Sequence, residues 1–354
     1  MWGDGQSTTT FWSGSRIDQI CTNRVFSVPD LPAHHRYKSR PETSSHHPRE
    51  RRRIQHTLPK MTTYEVPVDF RNIKDKTILI TGCSTGIGRA TAKLAYEHGA
   101  KLALADWNEV EAKNLLAELR NTDRLLFYKT DVSKWDNILQ VFQGAWKKFG
   151  KIDAVISNAG INQENLLDEE IDEATGMLKA PSLKNLEVNL VAHIYVVKCA
   201  VHYFAKAPGK RSQIIMTGSA ASYIDTSPLY QYCAAKAGLL GLMRAFRTRL
   251  ISKNITINMI APWMTISPML PQAIVDMWGT LPANSPAGVA HALLLPVVDE
   301  SINGKVFFVA GNKITELEDK IHECQHIWMG AQLSEDVDEG QRRLVPAGIH
   351  PEQK

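Results

Sequence analysis

Between Lys76 and Val309 the sequence alternates short apolar runs with longer amphipathic stretches, and this alternation constrains the fold more than any other feature. Thr77–Ile80, Lys101–Ala105, Leu125–Lys129, Ala154–Ile156, Gln213–Met216, Thr256–Ile260 and Val306–Val309 read as strands. Arg89–His98, Glu109–Asn121, Leu183–Phe204 and Tyr230–Ile251 read as helices, as does a stretch that Ser133 caps and that runs to Phe149. Apolar runs of this kind suit strands covered by helices on both sheet faces. Strands joined through helices form right-handed crossovers. The pattern therefore predicts an α/β fold, a doubly wound parallel seven-stranded sheet in a single domain over residues 73–311, with 312–354 as a C-terminal extension. A 44% hydrophobic content supplies apolar material for one large core.

Residues 1–60 lack this patterning. They hold ten Lys/Arg and five Asp/Glu, against 31 and 32 in the rest, so the formal net charge of +4 belongs to this basic arm and not to the patterned body. The arm reads as a solvated, disordered tail. Its run Arg49-Glu50-Arg51-Arg52-Arg53 also fits a nuclear signal or an anion-binding patch, and Met61 stands where the patterning begins, as a later start would. A near-neutral body offers no basic face to nucleic acid. The five cysteines are scattered and odd in number, which argues against a disulfide framework and a metal site, and for a reducing, cytoplasmic setting. No window approaches the roughly 18 continuous apolar residues of a membrane span.

The first strand runs into Thr81-Gly82-Cys83-Ser84-Thr85-Gly86-Ile87-Gly88, which opens the first helix. Glycines there allow a sharp turn and close backbone approach to a pyrophosphate, and the helix N-terminus presents free amides and a positive dipole end. An ordinary glycine-rich loop is the plainer alternative. Asp106 ends the second strand, where a carboxylate can accept from adenosine ribose hydroxyls and repel an added phosphate; Ser84, Thr85 and Trp107 supply no cation for that phosphate. The reading is NAD(H) in preference to NADP(H), with Asp106 as a turn or cap residue the alternative.

Tyr232 and Lys236 are four apart on a helix and so share a face. A phenol with a pKa of about 10 is a poor base at neutral pH, and a neighbouring ammonium stabilises the phenolate. Such a pair is common on exposed helices, but here Ser219 lies just past the fifth strand and Asn189 sits inside a helix that disfavours Asn.

Taken in order, these motifs resemble the short-chain dehydrogenase/reductase family over residues 73–311, and in particular its prostaglandin-dehydrogenase-like and fungal secondary-metabolism alcohol dehydrogenases. Thr81–Gly88 is similar to the family's TGxxxGxG loop, Asp131-Val132 to its adenine-contacting pair, and Ser157-Asn158-Ala159-Gly160 to its NNAG segment, with Ser157 in place of the first Asn. Asn189, Ser219, Tyr232 and Lys236 fall on its Asn-Ser-Tyr-Lys tetrad. The resemblance implies a Rossmann-type fold and hydride transfer between NAD(H) and a secondary alcohol or ketone. Tyr232 would exchange the proton, Ser219 would hold the substrate oxygen, Lys236 would lower the Tyr232 pKa and bind the nicotinamide ribose, and Asn189 would hold a relay water. It also implies a homodimer or homotetramer that pairs its long helices.

Trp263 stands where the family has Gly, in Ala261-Pro262-Trp263, and Gly218 replaces a residue that is often Ser. Thr265 and Ser267 are the candidate partners of the nicotinamide carboxamide, with Thr265 carried as a cofactor-binding residue. Residues 263–284, with Trp263, Met264, Met269, Leu270, Met277 and Trp278, read as a mobile lid whose apolar side chains suit a bulky lipophilic substrate or pack the lid on the body. Ile314–Gly330 reads as a short helix that covers the substrate mouth or a neighbouring subunit. The competing classes are an NADP(H)-dependent ketoreductase and a non-catalytic dinucleotide sensor.

Overall fold

The computed structural model describes residues 63–64, 69–120, 122–207 and 209–344, so the basic arm lies outside the described residues. Seven parallel strands form as the sequence predicts: β2 (Thr77–Thr81), β3 (Lys101–Asp106), β4 (Leu125–Lys129), β5 (Ala154–Ser157), β6 (Ser212–Thr217), β7 (Ile255–Pro262) and β8 (Val306–Ala310). Among the described residues the sheet nevertheless has nine strands, because β9 (Lys313–Glu316) pairs antiparallel with β8 and β1 (Thr63–Tyr64) pairs antiparallel with β9. Gly311 and Asn312 both have positive φ, 55° and 62°, which makes a two-residue hairpin turn whose twist matches the strands it joins. A seven-stranded count stops at this turn; the chain instead folds back and adds to the sheet edge.

The order β1-β9-β8-β7-β6-β5-β2-β3-β4 places β2 beside β5. Strand succession reverses there, which opens a crevice at the C-terminal strand ends where ligands bind in such sheets. One sheet face carries Leu79, Val155, Ile214 and Met259 against α3 (Trp135–Phe149), α5 (Ala192–Phe204) and α6 (Tyr230–Leu250). The other carries Ile78, Ile80, Ile156 and Ile260 against α1 (Gly86–Glu97), α2 (Glu109–Leu119) and α8 (Pro286–Val298). Alternate strand residues thus enter opposite cores, which is why the runs are apolar without a break. Helix α8 escapes the periodicity argument because it is apolar on nearly all sides, and such a helix is a buried one.

Two local readings are corrected. Ser133 does not cap α3; its hydroxyl donates to Asp131 Oδ1 at 2.7 Å and α3 starts at Trp135. The long fourth helix is not uniform: α4 (Lys184–Leu186) passes through a π-helical turn, Glu187–Val191, into α5. No helix among the described residues is long and apolar enough to cross a membrane.

After β9 the chain forms α9 (Glu318–Glu323), α10 (Gln325–Met329) and α11 (Ala331–Leu344), with α7 (Gln272–Trp278) earlier in the lid segment. The single helix read over Ile314–Gly330 is therefore a strand and two short helices. Its apolar residues Ile327 and Trp328 are exposed. Glu318 ties this segment to α6: its buried carboxylate accepts from Arg244 at 2.8 Å through both oxygens, from Arg247 at 3.1 Å and from the Tyr223 hydroxyl at 2.9 Å. Burial alone would raise the Glu318 pKa, but the hydrogen bonds from Arg244 and Tyr223 and the two guanidinium charges hold it below its ordinary 4.5. A depressed carboxylate contributes stability that is complete above the unfolded-state pKa and lost as pH falls through the lower folded value. Glu318→Ala should cost about 1–2 kcal/mol in urea unfolding at pH 7, because it removes the shared acceptor of the Tyr223 hydroxyl and of two half-exposed guanidiniums. The gap between Glu318→Gln and wild type should shrink as pH falls below 4.5, and a gap that stays constant would contradict this assignment.

Candidate active site

The glycine loop follows β2 and leads into α1. A side chain at Gly82 (φ +67°) would lie 2.7 Å from the Ala159 Cα, and one at Gly88 would lie 1.9 Å from the Gly82 carbonyl oxygen. These two glycines let helix, loop and β5 end touch. Gly86 faces across the crevice, where a Cβ would stand 3.4 Å from Ser267 Cβ. Thr85, the N-cap of α1, is exposed and its side chain makes no capping bond, while Ile87 follows half-buried in the first turn. The amides of that turn remain available to an anion, so a dinucleotide's pyrophosphate fits the cradle.

Asp106 is buried. Its Oδ2 accepts from the Ser84 amide at 2.8 Å and its Oδ1 from the Asn108 amide at 2.9 Å. It thus braces the cradle from β3 and shapes the next turn; each oxygen retains acceptor capacity for a ribose hydroxyl. At the end of β4, Asp131 accepts from Ser133 and lies 3.5 Å from Lys184 Nζ. Burial would raise the Asp131 pKa, but the Ser133 bonds and Lys184 lower it overall. Val132 beside it is buried.

Asn158 is occupied within the protein. Its Nδ2 donates to the Gly82 carbonyl at 3.0 Å and its Oδ1 accepts from the Thr217 hydroxyl at 3.0 Å. It holds the ends of β2, β5 and β6 together.

Asn189, Ser219, Tyr232 and Lys236 arrive from three elements. Asn189 is fully buried in the π-helical turn, an irregularity frequent at functional sites. Its Oδ1 accepts from the Ile161 amide at 3.1 Å and its Nδ2 donates to the Ile161 carbonyl at 2.7 Å. A Cβ at Gly160 would sit 2.8 Å from Asn189 Oδ1 and 3.7 Å from Lys236 Nζ, so the bare glycine lets the two converge. Lys236 Nζ donates to the Thr217 carbonyl at 2.8 Å and lies 5.4 Å from the Tyr232 ring centre. Ser219 opens the short 3₁₀ turn after β6, where its hydroxyl accepts from the Ala221 amide at 3.2 Å, and it lies close enough to the Tyr232 phenol to influence its titration. Gly218 beside it is filled against by Met259, whose Sδ would be 2.6 Å from an added Cβ, which explains the absent Ser.

Burial pulls Lys236 down to about 7. Burial pushes the Tyr232 phenol above its ordinary value, and the Ser219 hydroxyl offsets only part of that. Lowering of Tyr232 by Lys236, as the sequence predicts, is therefore not what this arrangement produces on its own.

The lid region separates the two carboxamide candidates. Thr265 is buried, its hydroxyl donates to the Trp263 carbonyl at 2.9 Å and accepts from Asn284, and it is turned inward. Ser267 is the one set over Gly86. Trp263 fits where the family has Gly because its backbone stays out of the positive-φ region, its amide donates to Val309, and its ring packs edge-on against Trp278 at 4.9 Å. These two rings brace the lid, while Met269, Ile274 and Met277 are exposed. Asn162 Nδ2 holds the Met269 carbonyl at 3.2 Å.

Sequence reasoning passes over Asn284, buried and bonded to Thr265, Val309 and Asn312, which anchors the lid base. It also passes over His193, which lies one turn after Asn189 with both ring nitrogens buried and without a partner among the described residues. Burial, and then the charge of Lys236, take His193 down to about 3.

The family model described as short chain dehydrogenase matches residues 76–277. A short-chain dehydrogenase/reductase, prx4, of Penicillium roqueforti is 30% identical over 285 residues, which cover 74% of this chain and 82% of that protein. The 15-hydroxyprostaglandin dehydrogenase [NAD(+)] of Mus musculus is 26% identical, covering 70% and 94%. A solved 3-ketoacyl-(acyl-carrier-protein) reductase from Brucella melitensis complexed with NADH superposes with a TM-score of 0.59 at 22% identity, covering 68% of this chain and 98% of that one, a likeness of fold. With its matched core, its glycine cradle and its Ser-Tyr-Lys grouping, the chain belongs to the short-chain dehydrogenase family.

Proposed function

We propose that this chain is an NAD(H)-dependent dehydrogenase, or ketoreductase in reverse, for a bulky lipophilic secondary alcohol or ketone. The observation that carries the reading is the convergence of Ser219, Tyr232 and Lys236 at the strand ends beside the cradle. When bound, the nicotinamide dinucleotide takes up or gives the hydride. In oxidation Tyr232 accepts the alcohol's hydroxyl proton, and in reduction it returns a proton to the carbonyl oxygen. Ser219 donates to that oxygen and holds it. Lys236, near-neutral to protonated at working pH, passes protons on from the Tyr232 side and holds ribose hydroxyls, while Asn189 positions a water that opens the relay to solvent. Ser267, set over Gly86, replaces Thr265 as the lid's cofactor contact.

NAD(H) is favoured because the buried Asp106 carboxylate stands at the cradle, and because the mouse relative's name specifies NAD(+). The exposed apolar side chains of the lid and that relative's hydroxyprostaglandin support a lipophilic substrate. We further assign a homodimer or homotetramer built on α5 and α6, and a cytoplasmic setting in keeping with the free thiols Cys83, Cys199, Cys233 and Cys324.

With NAD⁺ and a panel of 2-propanol, cyclohexanol, 1-phenylethanol and 2-octanol, NADH should form, with kcat/KM at least about 10-fold higher for 2-octanol than for 2-propanol, since each buried methylene contributes about 0.8 kcal/mol. Tyr232→Phe should lower turnover by at least about 100-fold while NADH still binds. A fully active Tyr232→Phe enzyme would rule out the mechanism, and equal or better turnover of 2-propanol would rule out the substrate class. Trp107, which is exposed beside Asp106, is the place for a cation. The double variant Asp106→Ala/Trp107→Arg should move the preference toward NADP⁺; an unmoved preference would reduce Asp106 to its turn role.

A further inference from the structure

Helix α6 begins at Tyr230, and its N-cap Leu229 has no side-chain acceptor to offer. The first amides of a helix have no partner within it and need one from elsewhere. The Tyr232 amide finds one in Glu164, whose Oε1 accepts at 2.8 Å from a distant loop. The same oxygen accepts from Asn185 Nδ2 at 3.4 Å. Asn185 Oδ1 accepts from Asn189 Nδ2 at 2.7 Å, and Asn185 Nδ2 also donates to the Gln163 carbonyl at 2.8 Å. Asn189 in turn brackets the Ile161 peptide. A single run of hydrogen bonds therefore leads from the backbone of Tyr232 through Glu164 and Asn185 to Asn189. It joins two members of the proposed catalytic group that no secondary structure connects.

Asn185 and Asn189 are both buried, and hydrogen bonds in such a setting reinforce one another. The second Glu164 oxygen, Oε2, is buried and lacks a partner among the described residues. A carboxylate held at that cost needs a reason beyond loop packing. The positive end of α6 favours a negative cap at this point, and the cap falls on the amide of the reacting tyrosine itself.

We propose that Glu164 is a positioning residue for the reaction. It fixes the first turn of α6, and with it the Tyr232 phenol, relative to Asn189 and Lys236. The proposal rests on the reading of Tyr232 as the proton-transferring group. A misplacement of about 1 Å at a reacting group can cost about 100-fold in rate, so a cap that sets this turn affects turnover more than binding.

The test uses the full chain as Glu164→Ala, Glu164→Gln and Asn185→Leu, with amide hydrogen exchange at Tyr232, NADH binding by fluorescence, thermal unfolding, and kinetics on the best alcohol of the panel. In Glu164→Ala the Tyr232 amide should exchange about 10-fold faster and kcat should fall by about 10–100-fold, with NADH affinity unchanged. Glu164→Gln, whose amide oxygen can accept the same two bonds, should restore both. Asn185→Leu should lower kcat in the same way, and the double variant Glu164→Ala/Asn185→Leu should fall less than the two singles combined, as residues of one network do. Unchanged exchange at Tyr232, faster exchange with unchanged kcat, or a Glu164→Gln enzyme as slow as Glu164→Ala would each overturn the proposal. A loss of kcat matched by equal losses of NADH binding and thermal stability would reduce Glu164 to a fold-stabilising cap and overturn it too. Retained turnover in Tyr232→Phe would instead remove the underlying mechanism, and the exchange result would still report on the clamp.

Discussion

Parallel strands end in backbone groups that their own ladder does not satisfy, and at the switch point between β2 and β5 one half-buried carboxamide meets that need. Asn158 donates to the Gly82 carbonyl and accepts from Thr217, while the Thr81 hydroxyl accepts from the amides of Asn158 and Ala159. Thr217 then accepts from Lys236 through its carbonyl. The glycine cradle and Lys236 are therefore braced against the same few atoms. Loss of this connection would loosen the glycine cradle and the Lys236 contact together.

Around this brace the chain sets the glycine cradle and the Ser219, Tyr232 and Lys236 group on one edge. The cradle needs close backbone contact, so its glycines pack on Ala159 and on each other. Lys236 is buried and Tyr232 half-buried, and burial shifts Lys236 down and Tyr232 up relative to their ordinary values. Bringing the phenol into a useful range is thus work for the assembled site and not for Lys236 alone. The 263–284 segment and the body meet through the Asn162 bond to Met269 and through Ser267 over Gly86, so this segment and the cradle are neighbours.

Much of this was legible in residues whose chemistry is local. Seven apolar strands announce a helix-covered parallel sheet, and a glycine loop between a strand and a helix announces an anion site. Elements whose reasons are non-local stayed hidden. Helix α8 is apolar on nearly every side and shows no stripe. The β8–β9 hairpin depends on a two-residue turn, Gly311-Asn312, whose signal competes with the helical reading of Ile314–Gly330 that follows it. Glu164 lies 68 positions before the amide it caps, and Asn284 bonds to residues up to 28 positions away. No spacing rule reaches such pairs. Thr265 and Ser267 differ by two positions in one loop, and only the fold shows that one hydroxyl turns inward while the other overlies the cradle.

If Tyr232 takes the hydroxyl proton while hydride leaves the substrate carbon for the dinucleotide, a label on that carbon must follow the hydride. In a single turnover with NAD⁺ and 1-phenylethanol deuterated at the carbinol carbon, mass spectrometry should recover the deuterium in the reduced cofactor of the wild-type enzyme, and proton NMR should place it on one face of the ring. Deuterium appearing in solvent, or spread over both faces, would contradict the account.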